Sequence, residues 1–102
     1  MTQQYHQYQY IDFTVELKIY RPSESNILDE SSEQIIRALP SMTLKMLRSR
    51  ICKLLGINSK DDIKVLMVIC GQSFITLTTD LDDRDLSWIG LESGSQLLCM
   101  MS

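Results

Sequence analysis

The sequence predicts an α+β domain, a twisted sheet with one amphipathic helix packed across a face. Three observations predict it. Residues 13–20 alternate apolar and polar with period two, residues 44–55 place their apolar side chains at helical spacing, and the later runs IKVLMVIC and QLLCMM have strand length. At 102 residues the chain has room for a single core and not for two.

The opening stretch MTQQYHQYQYID is rich in Gln and Tyr and lacks an apolar period that could anchor it. Residues 1–12 therefore read as a disordered tail or linker, with the folded domain spanning 13–102. A rival reading makes them an extended recognition peptide using Tyr5, Tyr8 and Tyr10. In the first strand Phe13, Val15, Leu17 and Ile19 alternate with Thr14, Glu16, Lys18 and Tyr20. The segment RPSESNILDESSE carries Pro, Asn, Ser and acidic residues, so it reads as an exposed loop of about twelve residues before a second strand at 34–39.

Pro40 closes that strand, and the pattern then turns helical. Thr43 is the expected N-cap, Leu44, Leu47, Ile51, Leu54 and Leu55 fall on one face, and Gly56 supplies the C-terminal stop. Lys45, Arg48, Ser49, Arg50 and Lys53 occupy the flanks and back, and Met46 also points away from the apolar stripe.

The run IKVLMVIC is apolar except at Lys64. If Lys64 faces water, then Ile63, Val65, Met67 and Ile69 face the core and Leu66 and Val68 lie outside; a slip of one residue would invert the assignment. QSFITLT reads as a short, weaker strand, and DLDDRD as a solvated acidic loop. On the last strand Leu97, Cys99 and Met101 alternate inward, which sets Leu98 and Met100 beside Leu66.

Several function classes are disfavoured at this level. A net charge of -3 argues against a polyanion partner, so nucleic acid is not expected. No apolar run approaches the roughly 20 residues that cross a bilayer, and the N-terminus lacks the pattern of a signal peptide, so a cytosolic chain without membrane contact is expected. Cys52, Cys70 and Cys99 are odd in number and form no short-spaced pair, which favours buried thiols over a disulfide framework. His6, the sole histidine, lies in the presumed tail, so a cysteine–histidine dyad is not expected.

The chain therefore reads as noncatalytic, with no cofactor and no zinc site. An EF-hand loop counted from Asp80 would need Gly sixth and Glu twelfth, where Asp85 and Leu91 stand.

Two surfaces remain as candidates for protein binding. Lys45, Arg48, Arg50 and Lys53 fall within nine positions with no acid among them: either a solvated face or a docking surface for an acidic partner. The second is the apolar sheet face of Leu66, Val68, Leu98 and Met100, which either another part of a longer protein or the long loop covers, or a partner recognises.

The passage LPSMTLKMLRSRICKLLG resembles ubiquitin's route through a proline into a Thr-capped helix ending in glycine. DLSWIGLESGSQLLCMM is similar to its Leu-Ser turn, apolar pair, polar hairpin and last strand. The resemblance covers residues 13–101 and implies the ubiquitin-like β-grasp fold with a mixed sheet. In ubiquitin the third and fifth strands expose an apolar recognition patch, and the register above sets Leu66 at its centre. No glycine follows Gly94, whereas a conjugated modifier needs a flexible Gly-Gly tail, so conjugation is not expected.

Within that superfamily, VELKIYRP together with LPSMTLKMLRSRICKLLGI resembles the C-terminal ubiquitin-like domain of the tubulin-folding cofactor E family. This implies a noncatalytic interaction domain, monomeric in isolation, cytoplasmic and associated with the cytoskeleton. Its implied partners are α-tubulin, in heterodimer assembly and disassembly, or another tubulin cofactor. The family's CAP-Gly module and leucine-rich repeats are not among these residues, which implies an isolated domain. The cofactor B family, with an N-terminal ubiquitin-like domain, is the nearest competitor. An adaptor domain docking on proteasome or segregase receptors is the alternative from another class.

Overall fold

The computed structural model describes residues 14–57 and 63–101, with the backbone alone at Lys64 and Met101. The expected tail, its tyrosines, His6, Phe13 and Ser102 lie outside the described residues, as do the facings expected of the Lys64 and Met101 side chains.

Strands β1 (Val15–Arg21) and β2 (Asp29–Ala38) form an antiparallel hairpin; helix α1 (Leu44–Leu55) follows. Then come β3 (Ile63–Cys70), β4 (Ser73–Thr76), a 3-10 turn at Thr79–Leu81, the short helix α2 (Leu86–Ile89) and β5 (Gln96–Met101). The described strands form one sheet in the order β2-β1-β5-β3-β4. The central pair β1–β5 is parallel and the other pairs are antiparallel, so the sheet is mixed.

The period-2 run of β1 places Leu17 and Ile19 in the core beside Ile36 and Ala38 of β2. Strand β2 starts earlier than its apolar content suggests, at Asp29 rather than 34, which shortens the expected loop to residues 22–28. Its first half is polar because it lies on an edge and buries little. A register shift between Ile19 and Arg21 is bridged by Ser32, whose Oγ accepts from the Arg21 N–H at 2.8 Å and donates to the Asp29 carbonyl at 2.6 Å.

Helix α1 begins where Thr43 Oγ1 accepts from the Met46 N–H at 3.3 Å. Two more N–H groups of its first turn, which lack intrahelical acceptors, are satisfied from the acidic loop: Leu44 donates to the Arg84 carbonyl and Lys45 to that of Asp82. The helix ends at Gly56, in the left-handed region at φ 71, with the Ile57 N–H returning to the Cys52 carbonyl at 2.8 Å. Leu44, Leu47, Ile51 and Cys52 are buried against the sheet. Leu55 packs at the margin, whereas Leu54, expected on the same face, is exposed.

The register expected of β3 is corrected. Ile63 pairs with Met101 and Val65 with Met100, so Lys64 is an extra residue, a β-bulge. The bulge reverses the alternation that Lys64 was used to anchor. Ile63 and Leu66 both face α1, Leu66 is 0% exposed within the core, and Val68 packs against that core. Val65, Met67 and Ile69 consequently lie on the opposite face, as their pairing with Met100, Leu98 and Gln96 requires. Strand β5 follows the expected alternation at Leu97 and Cys99, which are core residues.

Candidate functional site

The sheet face away from α1 divides into two halves. On β1 and β2 it carries charge, with Arg37 3.5 Å from Glu16 and Lys18 4.0 Å from Glu33, and Ile35 exposed between them. On β5, β3 and β4 it is apolar. Cross-strand pairing aligns Met100 with Val65, Leu98 with Met67, and Ile69 with Phe74. Val65, Met67, Ile69 and Met100 are partly buried, and Phe74 is 45% exposed. Such contiguous, accessible apolar surface has the character of a protein-binding patch.

Of the four residues expected to form this patch, the structure keeps Met100 in an accessible position. Leu66 and Val68 lie on the core side. Leu98 does face away from α1, but it is 0% exposed, so its expected accessibility is corrected as well. It sits between Met67 and Tyr20, its partners on either side, and Tyr20 is itself nearly buried, with its hydroxyl accepting from Gln96 Nε2 at 3.3 Å. Val65, Met67 and Ile69, expected in the core, lie here because one bulge exchanges the faces of β3, and Phe74 is legible in the sequence only as part of a weak strand. The paired signal available was Phe74 next to Ile75 in a strand too short to bury both.

The expected basic helix face is also altered. Arg48 is 6% exposed, its Nε donates to Asp82 Oδ1 at 2.9 Å, and its Nη2 donates to the Leu77 carbonyl. It is a structural clamp between α1 and the loop after β4, and no partner can reach its guanidinium there. Arg50 is exposed but bonded through Nη1 to the Arg37 carbonyl at 2.5 Å, leaving Lys45 and Lys53 on the solvent side, with Lys53 in the last turn of α1.

The acidic loop is partly committed to structure: Asp82 holds Arg48, and Asp80 accepts from the Thr78 hydroxyl, while Asp83 and Asp85 are exposed. Among the described residues no cluster of three or more His, Cys, Asp or Glu is arranged to hold a metal ion. Cys52 and Cys99 are buried as expected and Cys70 is exposed, contrary to expectation. Burial, followed by the proximity of Cys52, lifts the Cys99 pKa to about 11 against the opposing influence of Arg21 and Arg48, so its thiol stays protonated at neutral pH. Among the described residues no helix is long and apolar enough to cross a membrane.

A five-stranded mixed sheet ordered β2-β1-β5-β3-β4, with a parallel central pair and one helix across it, defines the ubiquitin-like β-grasp fold, and this chain has that fold. The chain is similar to the C-terminal ubiquitin-like domain of mouse tubulin-specific chaperone E, at 21% identity and a TM-score of 0.66 over 87% of each chain. It is also similar to the N-terminal ubiquitin-like domain of tubulin-binding cofactor B from Drosophila melanogaster, at 16% identity and a TM-score of 0.62, over 88% of this chain and 86% of that one. Ubiquitin of Caldiarchaeum subterraneum shares 15% identity at a TM-score of 0.61, over 87% of this chain and 94% of its own. No protein-family model matches the sequence, and no curated protein sequence is significantly similar to it.

Proposed function

We propose that this chain is a noncatalytic protein-interaction domain of a tubulin-folding cofactor, cytoplasmic and monomeric in isolation, which engages α-tubulin during heterodimer assembly and disassembly. The observation that carries the reading is the apolar half of the outer sheet face, centred on Met67, on a fold also seen in ubiquitin-like domains of a tubulin chaperone and a tubulin-binding cofactor. Side chains that are accessible and apolar yet supported by fully buried neighbours such as Leu98 suit recognition by burial in a partner's interface.

A second reading rests on the same surface. Ubiquitin presents an apolar patch on its third and fifth strands, so the Met67 face also fits a ubiquitin-type receptor, and the domain would then be an adaptor for proteasome receptors. Pull-down of αβ-tubulin and, in parallel, of a proteasomal ubiquitin receptor separates the two readings. The tubulin reading expects capture of tubulin by the wild type, loss with Met67→Glu and no capture of the receptor. Capture of the receptor alone would replace it with the adaptor reading.

A further inference from the structure

Strand β2 is outermost in the sheet, and no described strand covers its far side. The hydrogen bonding of β1 shows which backbone groups face that edge. The Lys18 N–H donates to the Ser95 carbonyl and the Glu16 carbonyl accepts from the Gly94 N–H, so both residues direct their polar groups toward β5. Ile35 and Arg37 stand opposite Lys18 and Glu16, and by the alternation of an antiparallel ladder they turn their own N–H and C=O groups outward. Arg50 Nη1 meets the Arg37 carbonyl there at 2.5 Å, which leaves Ile35 as the pairing position next to it. Outward backbone groups on an edge are a template for an added strand.

Between β2 and α1 this edge opens onto a groove of about 290 Å³, lined by Ile36, Leu54, Arg50 and Lys53. Ile36 is nearly buried and forms its floor, while Leu54 offers accessible apolar surface. Two cations line the groove and no acid does. Helix α1 contains no Asp or Glu, and the β2 residues that alternate with Ile36 on this side are Gln34 and Ala38. Among the described residues neither Arg50 nor Lys53 forms an ion pair, and Glu16 and Glu33 lie on the opposite face beside Arg37 and Lys18. Ile35, on that opposite face, is 51% exposed.

We propose that this edge docks an extended segment of a partner protein as an additional strand on β2, a segment in which consecutive apolar residues precede Asp or Glu. Successive side chains of a strand point to opposite faces, so one apolar residue enters the groove over Ile36 and Leu54 while its neighbour covers Ile35. The carboxylate then reaches Arg50 or Lys53. Strands β1 and β5 separate this edge from β3, so the site is distinct from the Met67 patch and does not rest on it.

The folded, isotope-labelled protein is titrated by NMR with blocked octapeptides in which two or three consecutive Val, Ile or Leu precede two Glu. Matched peptides carry Lys in place of Glu, or N-methyl groups on the backbone amides of the apolar run. At least one acidic peptide is expected to shift the amide signals of β2 and of the second half of α1 saturably, with affinity falling as salt rises. The lysine and N-methylated peptides should bind about tenfold more weakly or not at all.

The double variant Arg50→Glu, Lys53→Glu should weaken binding of the acidic peptide about tenfold or more. Ile35→Pro should abolish it, because the Ile35 N–H faces the free edge and proline there removes no bond to β1. Met67→Glu should leave it unchanged. The proposal is overturned by no saturable shift with any acidic peptide, by shifts confined to β3 and β4, or by equal binding of the lysine or N-methylated peptides. Undiminished binding by either of the first two variants, or loss with Met67→Glu, overturns it as well. Should Ile35→Pro unfold, as judged by circular dichroism, the charge variant and the N-methylated peptides decide.

Discussion

Arg48 Nε lies 2.9 Å from Asp82 Oδ1, and through its Nη2 the same guanidinium reaches the Leu77 carbonyl. One side chain thereby ties the middle of α1 to both ends of the segment that follows β4. Both partners are largely shielded from water, with side-chain exposures of 8% and 19%. Removing the cation would strand a buried carbonyl and a shielded carboxylate, which is far more costly than losing a surface ion pair. Arg48→Ala is therefore expected to destabilise the fold by about 3 kcal/mol, and its thermal midpoint to fall by roughly 10–20 °C. Arg50→Ala should stay within about 0.5 kcal/mol. Equal, small effects of the two variants in thermal melts would remove Arg48 from the framework and return it to the surface.

Arg48 also marks a boundary of what can be read from sequence. Helix α1 was legible because its capping threonine, apolar period and terminal glycine are local signals. The role of Arg48 was not, because its acceptors lie 29 and 34 residues away and nothing in the helical period announces them. The alternations of β1 and β5 were legible for the same local reason. That of β3 was not: a bulge is a property of two strands, and Lys64 is surplus only in relation to the step from Met101 to Met100. The outer apolar face consequently keeps Leu98 and Met100 of the expected residues, while Leu66 and Val68 fall on the core side. The polar first half of β2 escaped notice because an edge strand that buries little has no apolar pattern to show.

The end of α1 yields a second prediction. Gly56 adopts φ 71, and a Cβ built there would meet nothing within 4 Å, so a substitution suffers from backbone conformation alone. Gly56→Ala should cost about 1–2 kcal/mol, and Gly56→Asn less, since Asn tolerates the left-handed region. Urea unfolding measures both. An alanine variant as stable as the wild type would show that the chain does not need the left-handed cap.

Cys99 adds a dependence on pH. Its folded pKa of about 11 stands above the unfolded value of 9.0, so between these values the unfolded chain has lost a proton that the native state keeps. Stability from the buried neutral thiol is complete below pH 9 and is lost as the pH rises toward 11. Cys99→Ala should cost about 1 kcal/mol at neutral pH, and the gap from the wild type should narrow across that window. Comparing the two proteins isolates the contribution of the Cys99 thiol. A gap that stays constant from neutral pH to pH 11 would contradict the raised pKa.

Leu66 and Met67 are adjacent in β3 and face opposite sides of the sheet, so they separate folding from binding. Leu66 is fully buried beneath α1, and a polar replacement there loses the leucine's transfer energy while burying an amide without partners. Leu66→Asn should cost about 3 kcal/mol or more and broaden or abolish cooperative unfolding. Met67 is partly exposed on the outer face, where a charged side chain can reach water, so Met67→Glu should cost no more than about 1 kcal/mol. The same variant places a carboxylate amid Val65, Ile69 and Met100, and should reduce capture of a partner that buries this patch by tenfold or more. Circular dichroism and pull-down on both variants make the comparison. A folded Leu66→Asn protein that has lost binding would restore the original register and move the interface to Leu66; a folded Met67→Glu protein that binds normally would remove the interface from this face.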